Sequence, residues 1–168
     1  MKVLAVYDEN NYEDTTEVFE KESIRGIIMC DGKLAMQCSK YGEYKIPGGC
    51  REEGETYLQT LVREVNEETG LVVIEDSAVE LGKILEIRKD IYDDKTKYIC
   101  HSYFYFCEVK DEMTATHLTE NEIEKGYVLK WATPEEIYNT NVGITKSAIK
   151  RDTAFIKMII DGQVVLPK

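Results

Sequence analysis

The sequence predicts one α/β domain of the α+β kind, a mixed sheet covered by helices on both faces. Three observations lead there. The 168 residues are 43% hydrophobic, enough for a single core. Strand-like segments lie on both sides of one amphipathic helical segment near the middle of the chain, and helix-start signals gather towards the end. No linker, repeat or low-complexity stretch divides the chain, so residues 1–168 are read as one domain, with residues 1–20 an added strand and 145–168 a C-terminal helix.

The elements follow in order. Val3–Tyr7 is a short apolar strand candidate. Ile24–Cys30 and Leu34–Cys38 flank Asp31-Gly32, a turn pair that favours the tight hairpin because both central positions need positive φ. Residues 56–69 then place Leu58, Leu61, Val62 and Val65 on one helical stripe. Thr56 with Gln59 has capping-box form, and Gly70 follows as a C-cap. Val72–Ile74, Lys83–Ile91 and Lys97–Val109 are the next strands, the last two joined at Tyr92-Asp93-Asp94, and Tyr127–Trp131 closes the series. Pro134-Glu135-Glu136 opens a short helix with Thr133 as N-cap. A further helix runs from about Ser147 to Ile160, where Ile149, Phe155, Ile156 and Ile159 beside Lys150-Arg151 suit a cover for the core or, second, a subunit contact.

The central helix carries more than a core stripe. Glu64, Glu67 and Glu68 are neighbours on its adjoining arc, since positions three and four apart meet on a helix surface. Like charges so placed repel and weaken the helix, and a divalent cation resolves the conflict. Carboxylate oxygens are hard ligands, so Mg²⁺ is expected, with Mn²⁺ as substitute. Pro47-Gly48-Gly49 lies just upstream, where glycine lets backbone approach a cation or phosphate.

From Gly49 to Leu71 the chain reads GCREEGETYLQTLVREVNEETGL, which fits G-x5-E-x7-R-E-U-x-E-E-x-G-U (U aliphatic) at every fixed position. At average residue usage such a match arises by chance with a probability of about 10⁻⁹ per start position. This is the Nudix box, and the chain resembles a MutT-like Nudix hydrolase over residues 20–140. The resemblance implies an α/β/α sandwich with a loop–helix–loop motif and a substrate that is a nucleoside diphosphate linked to another group. It further implies Glu64, Glu67, Glu68 and the Gly48 carbonyl as metal ligands, Glu55 and Arg63 as the pair orienting the helix, and Glu64 as the base for water attacking a phosphorus atom. Gly48 and Gly49 would approach the substrate, and Tyr44 lies where many relatives carry an aromatic near it. Relatives often add a carboxylate from beyond the box. Glu120 and Glu122 are the candidates, Glu120 being taken into the metal set, whereas Glu52 and Glu53 read as solvated loop charge.

In Tyr98–Phe106 alternation puts His101, Tyr103 and Tyr105 on one face and Ser102, Phe104 and Phe106 on the other. One face should line the core while the other floors a nucleotide pocket. His101 stays outside the catalytic set, and Trp131 reads as a packing residue.

A net charge of −11 argues against a polymer nucleic-acid partner, because phosphate backbones are bound through Lys and Arg. The same charge makes an anionic substrate dependent on a bridging cation. Five cysteines without a CxxC pair suit free thiols in a reducing cytoplasm. The N-terminal apolar run is too brief for a signal peptide, and no run would span a membrane. A homodimer using the terminal segments is the expected assembly. Substrate subclass is reached by elimination. The proline that the family's ADP-ribose enzymes tend to carry some fifteen residues past the box is replaced by Glu86-Ile87, and Arg88-Lys89 stand where dinucleoside polyphosphate hydrolases often show a tyrosine. A coenzyme A signature is missing. A nucleoside triphosphate cleaved to monophosphate and pyrophosphate is left, with ADP-ribose, nucleotide-sugar or dinucleoside polyphosphate hydrolysis, or non-catalytic nucleotide sensing, as alternatives.

Overall fold

A computed structural model describes residues 1–168. Its elements are β1 (Val3–Asp8), β2 (Glu17–Ile27), β3 (Met29–Cys30), β4 (Lys33–Cys38), β5 (Tyr44–Lys45), β6 (Gly48–Cys50), α1 (Tyr57–Thr69), β7 (Leu71–Val73), β8 (Val79–Lys89), β9 (Thr96–Phe106), β10 (Val109–Met113), α2 (Glu120–Glu124), β11 (Val128–Ala132), α3 (Pro134–Asn141) and α4 (Ser147–Ile160). The main sheet is mixed, in the order β1-β8-β9-β2-β6. β1 runs parallel to β8 and β2 parallel to β9, while β8–β9 and β2–β6 are antiparallel. A smaller sheet, β11-β4-β3 with β5 on β4, and the pair β10-β7 complete the layer.

Local chemistry accounts for the elements the sequence made plain. Asp31 and Gly32 both take positive φ, 49° and 73°, and close the β3–β4 hairpin. Thr56 and Gln59 form the reciprocal capping box, and Gly70 ends α1 at φ 75°. Thr133 caps α3 in the same way.

Helices cover both faces of the main sheet. On one side Leu61 and Val65 of α1 pack with Ile24, Ile28, Tyr103 and Tyr105. On the other, Phe155 and Ile156 of α4 pack with Ile27, Ile84 and Phe104, and the Phe104 and Phe155 rings stack at 3.9 Å. The core role of α4 therefore holds. The expected nucleotide floor on β9 does not, because Tyr57 of α1 stacks on Tyr103 at 4.7 Å and fills that face.

Several features depart from the reading of the sequence, among them these. β2 begins seven residues earlier than Ile24, in a charged stretch that pairs with β9 from Glu17↔Thr96 onward. The carboxylate candidates Glu120 and Glu122 stand on a short helix, α2, that the sequence reading did not assign. Arg151, expected only beside Lys150 on a helix covering the core or meeting a subunit, is itself buried and donates to the equally buried Asp152 at 2.6 and 2.8 Å.

Candidate active site

The site is assembled by α1 and the loop that precedes it. β2 and β6 run so close at Gly48 that a Cβ there would lie 2.0 Å from the Ile24 carbonyl oxygen, and Gly48 has φ +139°. At Gly49 a Cβ would meet the Glu64 carboxylate at 2.3 Å, so the missing side chain is what lets Glu64 lie on the backbone. The loop is held from two directions. Asp152 of α4 accepts from the Ile46 amide at 2.9 Å, and Glu68 of α1 accepts from the Gly48 amide at 2.7 Å.

Arg63 is the hub. Its Nε and Nη2 grip both oxygens of Glu55 at 2.6 and 2.9 Å, a bidentate pair with fixed geometry. Its Nη1 donates to Glu64 at 2.6 Å and to Glu67 at 3.3 Å, and Nη2 also reaches the Cys50 carbonyl. Glu55 additionally accepts from Thr60 Oγ1 and the Glu52 amide. These donors, Arg63 first, hold the Glu55 carboxyl down at about 2. Glu55 and Arg63 thus fix the helix to its loop.

Burial dominates the other carboxylates. It raises Glu64 against the opposing pull of Arg63, and it pushes Glu68 up to about 7 even though Lys45 Nζ lies 2.9 Å away. Charge removed from water without full compensation is disfavoured, and a cation would restore the balance. The three helix carboxylates do not gather at one point by themselves, because Arg63 draws Glu64 and Glu67 one way and Lys45 draws Glu68 another. Hard oxygens on one helix edge, two of them strained by burial, nevertheless suit a divalent cation.

Several expected site residues have other partners. The Gly48 carbonyl accepts from Arg25, buried on β2 opposite Gly48, so it is already engaged by a cationic side chain. Tyr44 is buried, with its amide and carbonyl both bonded to Asn141 and its ring beneath Lys130. Strand alternation turns Tyr44 away and presents Lys45 to Glu68 instead. Glu120 is exposed, whereas Glu122 comes within 3.6 Å of Lys45 Nζ, which itself lies 2.9 Å from Glu68. Of the two candidates beyond the box, Glu122 is the neighbour of the cluster. The sequence reading missed Lys45, Arg25 and the Arg151–Asp152 pair. For Glu122 a signal existed, since Thr119 and Glu122 form a second T-x-x-E capping box.

On the α4 side of the sheet, β1, β8 and the α3–α4 connection form an open cleft of about 760 Å³ lined by Glu86, Arg88, Tyr138, Ser147, Lys150 and Arg151 among others. Ser147 Oγ donates to the buried Glu86 at 2.5 Å. Arg151 in the cleft wall leads through Asp152 and Ile46 to the Gly48 loop.

Comparison with known proteins agrees with this architecture. The NUDIX domain profile matches residues 21–152. An uncharacterized Nudix hydrolase of Bacillus subtilis is 30% identical over 114 residues, 67% of this chain; the match spans 66% of the relative, just under two-thirds of its length. Among solved structures, a NUDIX hydrolase from Nitrosomonas europaea superposes with a TM-score of 0.61 at 18% identity, covering 87% of this chain and 92% of that one. A MutT protein from Bacillus halodurans gives 0.52 at 19%, over 82% and 80%. An ADP-ribose pyrophosphatase from Streptococcus suis gives 0.52 at 16%, over 82% and 90%. At these identities the superpositions speak for the fold, and the sequence matches carry the family: the chain belongs to the Nudix hydrolases.

Proposed function

We propose that the chain is a divalent-metal-dependent pyrophosphohydrolase acting on a nucleoside diphosphate derivative, with a nucleoside triphosphate as the preferred substrate and Mg²⁺ as the working ion. The observation that carries this reading is the Glu64 carboxylate, laid on the Gly49 backbone, tied through Arg63 to Glu55 and Glu67, and raised in pKa by burial. Glu64, Glu67 and Glu68 would hold the cation, which when bound supplies positive charge against the pyrophosphate oxygens.

The protein's own residues do the rest. Glu64 accepts the proton of the water that adds to a phosphorus atom, while the bridging P–O bond breaks and pyrophosphate leaves with the electron pair. A carboxylate raised towards neutrality is a better proton acceptor than an ordinary one. Arg63 and Glu55 keep Glu64 in place. A small-molecule substrate, with no polymer nucleic acid, also fits the net charge of −11. All five cysteines are free thiols, which suits a reducing cytoplasm.

Purified protein incubated with Mg²⁺ and a panel of nucleoside triphosphates, ADP-ribose, dinucleoside polyphosphates and nucleotide sugars tests the reading. Turnover of a triphosphate to monophosphate and pyrophosphate, abolished by chelator, is expected. Glu64→Gln should lower turnover by about 10²–10⁴-fold, the range for a lost general base, with an unchanged fold. Near-full activity in that variant refutes the role given to Glu64. Nucleotide binding with no turnover on any substrate would instead make the chain a sensor.

A further inference from the structure

Glu68 and Glu122 come from different helices, and each has one oxygen tied to a backbone amide. The Gly48 amide holds Glu68 Oε2 at 2.7 Å, and the Thr119 amide holds Glu122 Oε2 at 2.9 Å. The remaining oxygen of each, Oε1, turns to the same ammonium group. Lys45 Nζ lies 2.9 Å from Glu68 Oε1 and 3.6 Å from Glu122 Oε1. All three side chains are largely withdrawn from solvent, at 16% exposure for Lys45, 4% for Glu68 and 17% for Glu122. The Tyr127 ring lies 5.5 Å from Nζ and adds a face suited to positive charge.

Two carboxylates held this way by backbone form half a cation site, with hard oxygens pre-positioned and little freedom to rearrange. What stands between them is a compact point charge on a flexible stem, rooted in a strand between the buried Tyr44 and Ile46. We propose that Lys45 is a built-in cation of the acidic site, standing at the Glu68–Glu122 half of the metal-free protein and competing there with a divalent ion for Glu68, while Glu64 and Glu67 stay open to exchangeable metal. Lys45 is then a positioning residue that sets how many divalent ions the site accepts. This rests on the reading of the α1 carboxylates as cation ligands.

Mn²⁺ binding to metal-free protein without nucleotide, followed by electron paramagnetic resonance of the free ion, tests both. Lys45→Met keeps the stem and removes the charge. It should bind about one more Mn²⁺ per chain, or bind Mn²⁺ at least about tenfold more tightly, as expected when a like charge is taken from a partly buried site. That gain should vanish in Lys45→Met/Glu122→Gln and persist in Lys45→Met/Glu120→Gln. Unchanged binding in Lys45→Met with a native circular dichroism spectrum, or a gain that survives Glu122→Gln, overturns the proposal. Should Lys45→Met fail to fold, Glu122→Gln alone decides, because with Lys45 in place it should leave Mn²⁺ uptake unaltered, and a loss overturns the proposal. Glu67→Gln tests the underlying reading separately, since it should weaken the wild-type Mn²⁺ site whatever Lys45 does.

Discussion

Raising the pH of the metal-free protein should destabilise it, and Glu68 should be the main cause. Burial moves this carboxyl from its ordinary value near 4.5 up to about 7 in the folded chain. On unfolding it returns to 4.5, so between these values the folded state binds a proton that the unfolded state has released. Stability is therefore fully present below about pH 4.5 and is lost as pH rises through about 7. At about 1.4 kcal/mol per pH unit the gap corresponds to about 3 kcal/mol, a large part of the stability of a domain this size. Glu64 is raised in the same direction and adds to the slope. Glu55 has the opposite sign, but its window from about 2 to 4.5 closes before this range opens. Urea unfolding in chelator at pH 5, 6, 7 and 8 measures the slope, and Glu68→Gln should remove most of it. An identical slope in wild type and Glu68→Gln would sink the reasoning. Saturating Mg²⁺ should flatten the wild-type curve, because a bound cation favours the ionised carboxylate.

Two further substitutions test the frame behind the site. Asp152→Ala strands the buried Arg151 guanidinium and frees the Ile46 amide, which should cost about 3–5 kcal/mol. Thermal unfolding should show Tm falling by roughly 10 °C, and a shift within error would mean the pair is not needed. Gly48→Ala forces a Cβ into the Ile24 carbonyl and a φ that side chains avoid. A loss of about 2–5 kcal/mol, read from the urea midpoint, and loss of turnover are expected; a stable, active variant would mean β6 can move off β2.

Where a single local signal decides the structure, the sequence announced it. The capped ends of α1 and the Asp31-Gly32 turn are of this kind. The N-terminal half of β2 lacked a signal because its Val18 and Phe19 stay exposed and its pairing comes from β9, some eighty residues away. Neither Arg151 nor Asp152 stood out as a buried pair, because such a pair has no local mark, each partner being acceptable only when the other is present. Lys45 escaped for a related reason, since its partners come from α1 and α2 and only the fold brings them to one point. Conversely, the family resemblance named Gly48 as a cation ligand, but not Arg25, which the β2–β6 register sets against that carbonyl.

The glycine-rich loop hangs from two carboxylates on different helices, Asp152 at Ile46 and Glu68 at Gly48. Two amides only two residues apart are thus protected from solvent exchange by different events. Releasing the Ile46 amide requires α4 to leave the sheet, an opening close to global unfolding. The Gly48 amide is released when the Glu68 carboxylate exchanges it for a bound cation, with α1 still in place. Hydrogen exchange at Gly48, referenced to Ile46, would therefore report what occupies the acidic site while the fold around it stays closed.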